Sequence, residues 1–256
     1  MWKRMYGRIY MNWKHFYIEA GLAVLLMIAL GIAGAKGVLS FQTSESDMDK
    51  KMISGNKKEE DILTKEETEL QETQALISSG QYPVMGSSDI TVQDMVDYFN
   101  DSGEEYPSED LSEGGAESIE AFCQMYIDEA AAEGVRPEVA FAQTMKETGF
   151  LQYGGDAHIE QFNFAGLGTT GNGVPGNSYP DVRTGIRAQI QHLKAYATDD
   201  ALNGTCVDDR YAYVKKGSAP YVQWLGQQEN PEGLGWATGE NYGYDIVDMI
   251  KDMTDA

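Results

Sequence analysis

The chain has 256 residues, with 41 acidic and 19 basic side chains and a formal net charge of −22 at pH 7. Such an acidic composition argues against nucleic acid as a ligand, because phosphates require clusters of Lys and Arg. It also disfavours tight docking on anionic polymers, but it leaves neutral polymers open as ligands.

Residues 1–40 predict a membrane-directed segment. They carry five basic residues and one acidic residue, Glu19, and an uncharged apolar run covers residues 20–35. This run is shorter than the roughly 20 residues that span a bilayer, but its flanks extend it if the bordering charges reach the interfaces. Ala33-Gly34-Ala35 also fits a signal peptidase site. The basic, aromatic leader favours a retained anchor over cleavage near Ala35, and the remainder is exported in either case.

Residues 41–88 predict an acidic stalk that is disordered or partly helical. Up to residue 80 its only aromatic residue is Phe41, and dense mixed charges leave little material for a core. Its apolar residues do not sustain three heptads, so we expect a monomer rather than a coiled coil. The domain proper is expected at 89–256, where residues 91–100 predict a short amphipathic helix that is an appendage to it.

Two helices follow in the predicted domain. The first runs through apolar residues at spacings of three and four and stops at Gly134, and Pro137 begins the second. Glu147 lies in the last turn of that second helix, just before its stop at Gly149. The negative end of the helix and partial burial both raise the pKa of a carboxyl group there. A raised pKa suits a general acid.

The chain after Phe150 changes to Gly, Asn, Thr and Pro, and residues 166–179 predict a short β-hairpin or a flexible lobe. Asp181 is then placed to cap a helix, and a final helix is expected near residues 246–250. The architecture is therefore mainly α, an α+β fold with one small β element. The apolar stripe of the capped helix consists of Val182, Ile186, Ile190, Leu193 and Ala197.

Other chemistries find little support in the sequence. Residues 166–171 fit G-x-G-x-x-G, but they run into Asn172-Gly173-Val174-Pro175-Gly176 with no helical continuation, so no nucleotide is expected. The three His residues are far apart and unsuited to a metal site, and no cofactor is predicted. Cys123 and Cys206 are either one disulfide or free thiols.

Four segments, in order, resemble the glucosaminidase family of peptidoglycan hydrolases. Glu147-Thr148-Gly149-Phe150 is similar to the family's catalytic Glu-Ser/Thr-Gly-aromatic pattern, and residues 162–168 are similar to an Asn-Leu-Phe-Gly-like segment. Residues 179–190 resemble the passage from a substrate-binding hairpin into a helix. Residues 236–242 resemble the closing segment with its tyrosine, although Gly239 replaces the usual Asp. The resemblance covers about residues 117–253.

This resemblance implies a lysozyme-like domain with a cleft between a helical body and a hairpin lobe. It implies an endo-β-N-acetylglucosaminidase that acts on peptidoglycan glycan strands, with Glu147 as general acid. Tyr242 would lie near the reaction centre and orient water or the substrate's acetamido group. The resemblance also predicts four substrate-binding residues: Asn163, Phe164, Gly166 and Tyr179. For Asn163 and Phe164, packing beneath the hairpin is an equal alternative.

The reaction also needs a second group opposite the scissile bond. Asp156, Glu160 and Asp181 are candidates, and the substrate's own acetamido group is an alternative to all three. A muramidase or a lytic transglycosylase is an alternative activity on the same polymer, and a membrane-tethered wall-binding protein is a non-catalytic one. We expect the protein at the cell membrane with its C-terminal domain outside.

Overall fold

The structure, a computed structural model, describes residues 62, 65, 68, 71–72, 74–169 and 173–255. They belong to a compact unit that spans Glu59–Ala256. The predicted anchor at 1–40 and most of the predicted stalk lie outside the described residues. Within the described ranges, no helix combines the length and apolarity needed to cross a bilayer.

The fold of the described part is mainly helical, as the sequence predicts. Three short 3₁₀ turns lie between the helices, at Ile159–Gln161, Tyr211–Tyr213 and Val222–Leu225. From residue 92 onward, the α-helices are α1 (Val92–Asp101), α2 (Ser108–Glu113), α3 (Ile119–Glu133), α4 (Pro137–Thr148), α5 (Val182–Ala197) and α6 (Tyr242–Asp255).

The helix ends follow local sequence signals. Ser118 caps α3, and Gly134 ends it in the left-handed conformation with φ of 75°. Pro137 is the first residue of α4, and Gly149 ends that helix with φ of 58°. The carboxylate of Asp181 accepts the Thr184 N–H at 2.7 Å and so caps α5. These stops and caps confirm the predicted ends, because glycine enters the left-handed region without steric cost.

An aromatic chain lies at the centre of the core. Phe122 of α3 packs edge-on against Tyr126 at 5.2 Å and against Phe164 at 5.1 Å, and Tyr126 continues to Phe141 of α4 at 5.6 Å. The predicted apolar stripe of α5 is also buried, and it faces α3. Edge-to-face packing of this kind fixes the helices relative to one another.

The helix α1 is part of this core, so its expected role as an appendage is wrong. Its residues Met95, Val96 and Phe99 are buried, and Thr91 closes a reciprocal capping box with Asp94. The core also extends upstream of the expected boundary at residue 89, because Tyr82 and Val84 are buried in it. The amphipathic pattern predicts the helix correctly, but it does not reveal which surface that helix covers.

Strand structure in the described residues is limited to isolated bridges, such as those from Pro83 to Tyr221 and from Met85 to Val135. The hairpin predicted at 166–179 differs accordingly: residues 166–169 and 173–179 contain no strand. Among the described residues, a backbone bond from Asn177 N to Leu167 O at 2.8 Å joins the two arms. Closely spaced glycines favour turns at these positions over a regular ladder. We call residues 162–179 the lobe.

Candidate active site

Glu147 lies in the last turn of α4, where the sequence predicts it. Its side chain is open to solvent, yet protein around the carboxyl group raises its pKa above the ordinary value. Desolvation by burial is the main cause, and a hydrogen bond from Tyr242 and the charge of Lys146 oppose it. An open side chain and a desolvated carboxyl group are compatible, because the group can meet solvent on one side while protein removes water from its other sides. An accessible carboxyl group that holds its proton can act as a general acid.

Tyr242 is the immediate partner of this acid. The Tyr242 hydroxyl donates to Oε1 of Glu147 and accepts from Nε2 of Gln143 at 3.0 Å. Its ring is buried, which raises the pKa of the phenol well above its usual range, and the charge of Glu147 adds to that effect. The hydroxyl therefore remains protonated and serves Glu147 as a hydrogen-bond donor.

Lys146 and Asp245 form the charged border of this pair. Lys146 Nζ lies 5.6 Å from the centre of the Tyr242 ring and binds the Asp245 carboxylate at 2.7 Å. The ion pair of Lys146 and Asp245 joins the end of α4 to the start of α6. It also holds a positive charge near Glu147, where it favours the ionised acid.

A buried amide pair behind the acid was missed by sequence reasoning. Gln143 and Gln189 are fully buried and bind each other, from Gln189 Nε2 to Gln143 Oε1 at 3.0 Å. Gln189 also accepts from the hydroxyl groups of Tyr126 and Thr144, both at 3.0 Å. A sequence signal does exist: Gln143 and Thr144 are polar residues inside an apolar helix, one turn before Glu147. Buried polar groups of this kind require partners.

Asn163 lies near the start of the lobe and joins its two arms. Its amide donates to the carbonyl groups of Leu167 and Asn177 at 2.9 and 3.1 Å and accepts from Leu167 N at 2.9 Å. Gln161 adds bonds from its own amide to the carbonyl groups of Pro175 and Asn177, both at 3.1 Å. Asn163 is almost fully buried, so its role in this structure is to hold the two arms of the lobe together from within.

The other predicted substrate-binding residues separate into two kinds. Phe164 is buried against Phe122 and belongs to the core. Gly166 lies beside the acid, since a Cβ atom at this position would be 3.9 Å from Oε2 of Glu147. Tyr179 is half-buried; its N–H binds the Gln161 carbonyl group, and burial raises the pKa of its phenol to about 12. Gly166 is therefore the one that borders the acid.

The predicted second carboxylates have partners of their own. Asp156 accepts the Gly173 N–H at 3.1 Å, Glu160 is exposed in a 3₁₀ turn, and Asp181 caps α5. In the part of the chain that the structure describes, none of the three has a hydrogen bond to Glu147 or Tyr242. The sequence predicts two roles for Asp181, a helix cap and a second catalytic carboxylate, and the structure shows it as the cap of α5.

The position of Gly239 is open, and both cysteines are free. A Cβ atom added at Gly239 would have no atom of the described residues within 4 Å. The Tyr242 hydroxyl is held instead by Gln143, from which it accepts, and by Glu147, to which it donates. Asn241, next to Tyr242, binds the carboxylate of Glu229 through its N–H at 2.8 Å. Both Cys123, which is buried, and Cys206, which is exposed, are free thiols.

Comparison with known proteins agrees with this arrangement. The profile of the glucosaminidase family, described as mannosyl-glycoprotein endo-beta-N-acetylglucosaminidase, matches residues 123–255, a stretch that contains Glu147, Tyr242 and the lobe. An uncharacterized protein of Borreliella burgdorferi is 43% identical over 104 residues, which cover 41% of this chain and 51% of the relative. The chain thus spans about half the length of that curated relative. No solved structure matches it significantly. The protein belongs to the glucosaminidase family.

Proposed function

We propose that this protein hydrolyses peptidoglycan as an endo-β-N-acetylglucosaminidase, cutting the β-1,4 bond between N-acetylglucosamine and N-acetylmuramic acid. The observation that carries the proposal is the pairing of Glu147 with the Tyr242 hydroxyl, in surroundings that raise the pKa of the acid. Family membership supports a glycoside hydrolase, and the specific bond is our inference.

In the proposed reaction the Glu147 carboxyl group gives its proton to the glycosidic oxygen as the C1–O bond breaks. The Tyr242 hydroxyl stabilises the carboxylate that remains, because it already donates to Oε1. Gly166 keeps the space beside Oε2 clear of a side chain. Water completes the hydrolysis at C1, and a proton returns to Glu147.

A positively polarised C1 requires a partner on its opposite face. That partner is either a protein carboxylate or the acetamido oxygen of the substrate. The anomeric configuration of the newly formed product helps to distinguish these two mechanisms. A water activated by a carboxylate gives inversion, whereas a covalent or an acetamido intermediate gives retention. Among retaining mechanisms, Asp156→Asn, Glu160→Gln and Asp181→Asn variants that keep full activity favour the acetamido group.

We also propose that the domain acts outside the cell membrane, held there by residues 20–35. The excess of basic over acidic residues in 1–40 supports this orientation, because positive residues remain on the cytoplasmic side. Protease added to intact cells should then remove the domain and leave the N-terminal segment behind. Full protection of the domain in cells with an accessible surface would contradict this location.

The decisive test is digestion of purified peptidoglycan by the full-length chain in detergent, beside Glu147→Gln and a control at an exposed carboxylate of α2, Glu109→Gln. Products are reduced with borohydride and their ends identified by mass spectrometry. We expect reduced N-acetylglucosamine ends from wild type and none from Glu147→Gln. Reduced muramic ends would indicate a muramidase instead, and anhydromuramic ends a transglycosylase. Binding without cleavage by the wild type would favour a wall-binding protein.

A further inference from the structure

A continuous line of hydrogen bonds connects the core to Glu147. It begins at Gln189 of α5, passes through Gln143 of α4 and reaches Tyr242 of α6, with each step close to 3.0 Å. Tyr242 then donates to Oε1 of Glu147. All members before the acid are buried, so solvent does not compete for these bonds.

The carbonyl group of Ala140 sets the direction of this line. Gln189 Nε2 lies 2.9 Å from the Ala140 oxygen, and a carbonyl oxygen only accepts. The Gln189 amide must therefore present its NH₂ group on this side and its oxygen to the hydroxyl groups of Tyr126 and Thr144. A flipped amide would place two acceptors against each other.

Gln143 and Tyr242 are oriented in the same way. The NH₂ group of Gln189 also faces Gln143, so the Gln143 amide must present its oxygen there and its NH₂ group to Tyr242. Tyr242 consequently accepts from Gln143. Because a phenol has one proton, that proton is directed at Glu147.

From this geometry we propose that Gln189 and Gln143 are positioning residues that fix the Tyr242 hydroxyl as a donor and so assign the transferable proton of Glu147 to Oε2. The carbonyl oxygen of a neutral carboxyl group is its better acceptor, so the donor at Oε1 leaves the proton on Oε2. Oε2 is the oxygen beside Gly166, on the side of the lobe. The proposal rests on the function proposed above, because it names the oxygen that protonates the substrate.

The charged groups around Glu147 make the effect measurable. Lys146 on α4 favours the ionised acid, while Asp245 on α6 binds Lys146 and offsets part of its charge. Residues 166–169 of the lobe carry no ionisable side chain. A change in how Tyr242 donates therefore appears directly in the titration of Glu147.

The test is the titration of Glu147 in the full-length chain, followed by NMR of ¹³C-labelled glutamate carboxyl groups. The Glu147 signal is the one absent from Glu147→Gln. In Gln143→Met the hydroxyl of Tyr242 is free to turn and accept from a protonated Glu147, which stabilises the neutral acid. We expect its pKa to rise by about half a unit.

Gln189→Met is the more discriminating variant. Gln189 binds Gln143 rather than Tyr242 or Glu147, so its removal leaves the surroundings of the acid as they were but allows the Gln143 amide to flip. We expect a smaller upward shift of the same sign. Gln191→Met is the matched control, because Gln191 is fully buried on the same helix but binds Thr205 and Val207 instead. It should lose stability and leave the titration unchanged.

The outcomes separate the two proposals. An unchanged titration in both Gln143→Met and Gln189→Met overturns the directed line of bonds, even if wild type digests peptidoglycan through Glu147. Equal shifts in Gln189→Met and Gln191→Met also overturn it, because the effect would then be general softening of the core. Failure of wild type to cut peptidoglycan overturns the proposed function alone. If one of the two variants does not fold, as judged by thermal melting, the other still decides the result.

Discussion

At the scale of the residue, Glu147 combines two properties that oppose each other in a folded protein. Its surroundings favour the protonated form, while the Tyr242 hydroxyl and Lys146 favour the ionised form. The raised pKa means that burial prevails over both partners. A group whose folded pKa exceeds its unfolded pKa destabilises the fold once it ionises. Such a cost is typical of sites where function and stability conflict.

We therefore predict that Glu147→Gln stabilises the protein near neutral pH. The cost of ionisation is present above the folded pKa and absent below the ordinary value of 4.5, where both states are protonated. We expect the melting temperature to rise by roughly 1–3 °C at pH 7.5, a small effect because the side chain meets solvent. The gain should disappear at pH 4. A gain that persists unchanged at pH 4, or that the exposed control Glu160→Gln reproduces, would contradict this cause.

Tyr242→Phe tests the donor at the same scale. Loss of the hydroxyl removes a hydrogen bond that lowers the pKa of Glu147, so this pKa should rise further. A general acid works in its protonated form, and activity falls as the pH passes its pKa. We expect the alkaline limb of the pH–rate profile to move upward, with kcat reduced about 10- to 100-fold. Tyr106→Phe, which loses a hydroxyl bond to the Ala116 carbonyl, is the control, and a full rate in Tyr242→Phe would remove the role.

At the scale of the element, side chains hold together the two arms of the lobe that the structure describes, residues 162–169 and 173–179, which contain no regular strand. Asn163 and Gln161 together bind carbonyl groups on both arms. In a regular hairpin, backbone hydrogen bonds between the two strands would join the arms. Gly168 and Gly176 lie at positive φ of 78° and 80° within these arms. A segment held by a few side-chain bonds opens at lower cost than a helix does.

We therefore predict that Asn163→Ala releases the lobe while the helices remain folded. The variant loses both bonds to Leu167 and one to Asn177, at a cost of about 1–3 kcal/mol for the buried groups left unpaired. Amide exchange in residues 162–179 should accelerate, and activity on peptidoglycan should fall about tenfold or more because Gly166 loses its place beside Glu147. Asn203→Ala, which removes a bond to the Ala132 carbonyl group outside the lobe, is the control. Unchanged exchange in the lobe would refute the argument.

At the scale of the whole molecule, scarce basic residues hold helices together in a chain of net charge −22. Arg187 and Arg183 of α5 bind the carboxylate of Glu129 on α3 at 2.7 and 3.0 Å. Further along the same two helices, Lys194 binds Glu133 at 2.9 Å, with both side chains almost fully buried. Burial alone would raise the pKa of Glu133, but the Asn203 N–H, Lys194 and the Gly204 N–H together lower it.

We predict that Lys194→Met destabilises the fold by about 3 kcal/mol, because it leaves a buried carboxylate without its cation. The folded pKa of Glu133 lies below its unfolded value, so the wild-type contribution is present above the unfolded pKa and is lost as the pH falls through the folded one. Denaturant unfolding at pH 7 and pH 3 should show a large difference between wild type and variant at the first and a small one at the second. Lys251→Met, in an exposed pair with Asp248, should change stability by less than about 0.5 kcal/mol. Equal effects in the two variants would contradict the prediction.

The sequence by itself determined most of the helices, several of their ends and the position of Glu147. Periodic apolar residues, Pro137, Gly149 and the Asp181 cap are local signals, and each acts within a few residues of the chain. Glu147 belongs to this group because its position depends only on its own helix. The identity of Tyr242 as a partner came from the resemblance to a known family, since 95 residues separate it from Glu147.

Only the tertiary structure decided which groups meet across the helices. Gln143, Gln189 and Tyr242 lie on three helices, and nothing in their local sequences shows that their amide and hydroxyl groups form one line. The same holds for α1, whose amphipathic pattern gives a helix but not the surface it covers, and for the lobe, where Asn163 replaces a ladder. The physical reason is that secondary structure depends on near neighbours, whereas burial and long-range hydrogen bonds depend on how the whole chain packs.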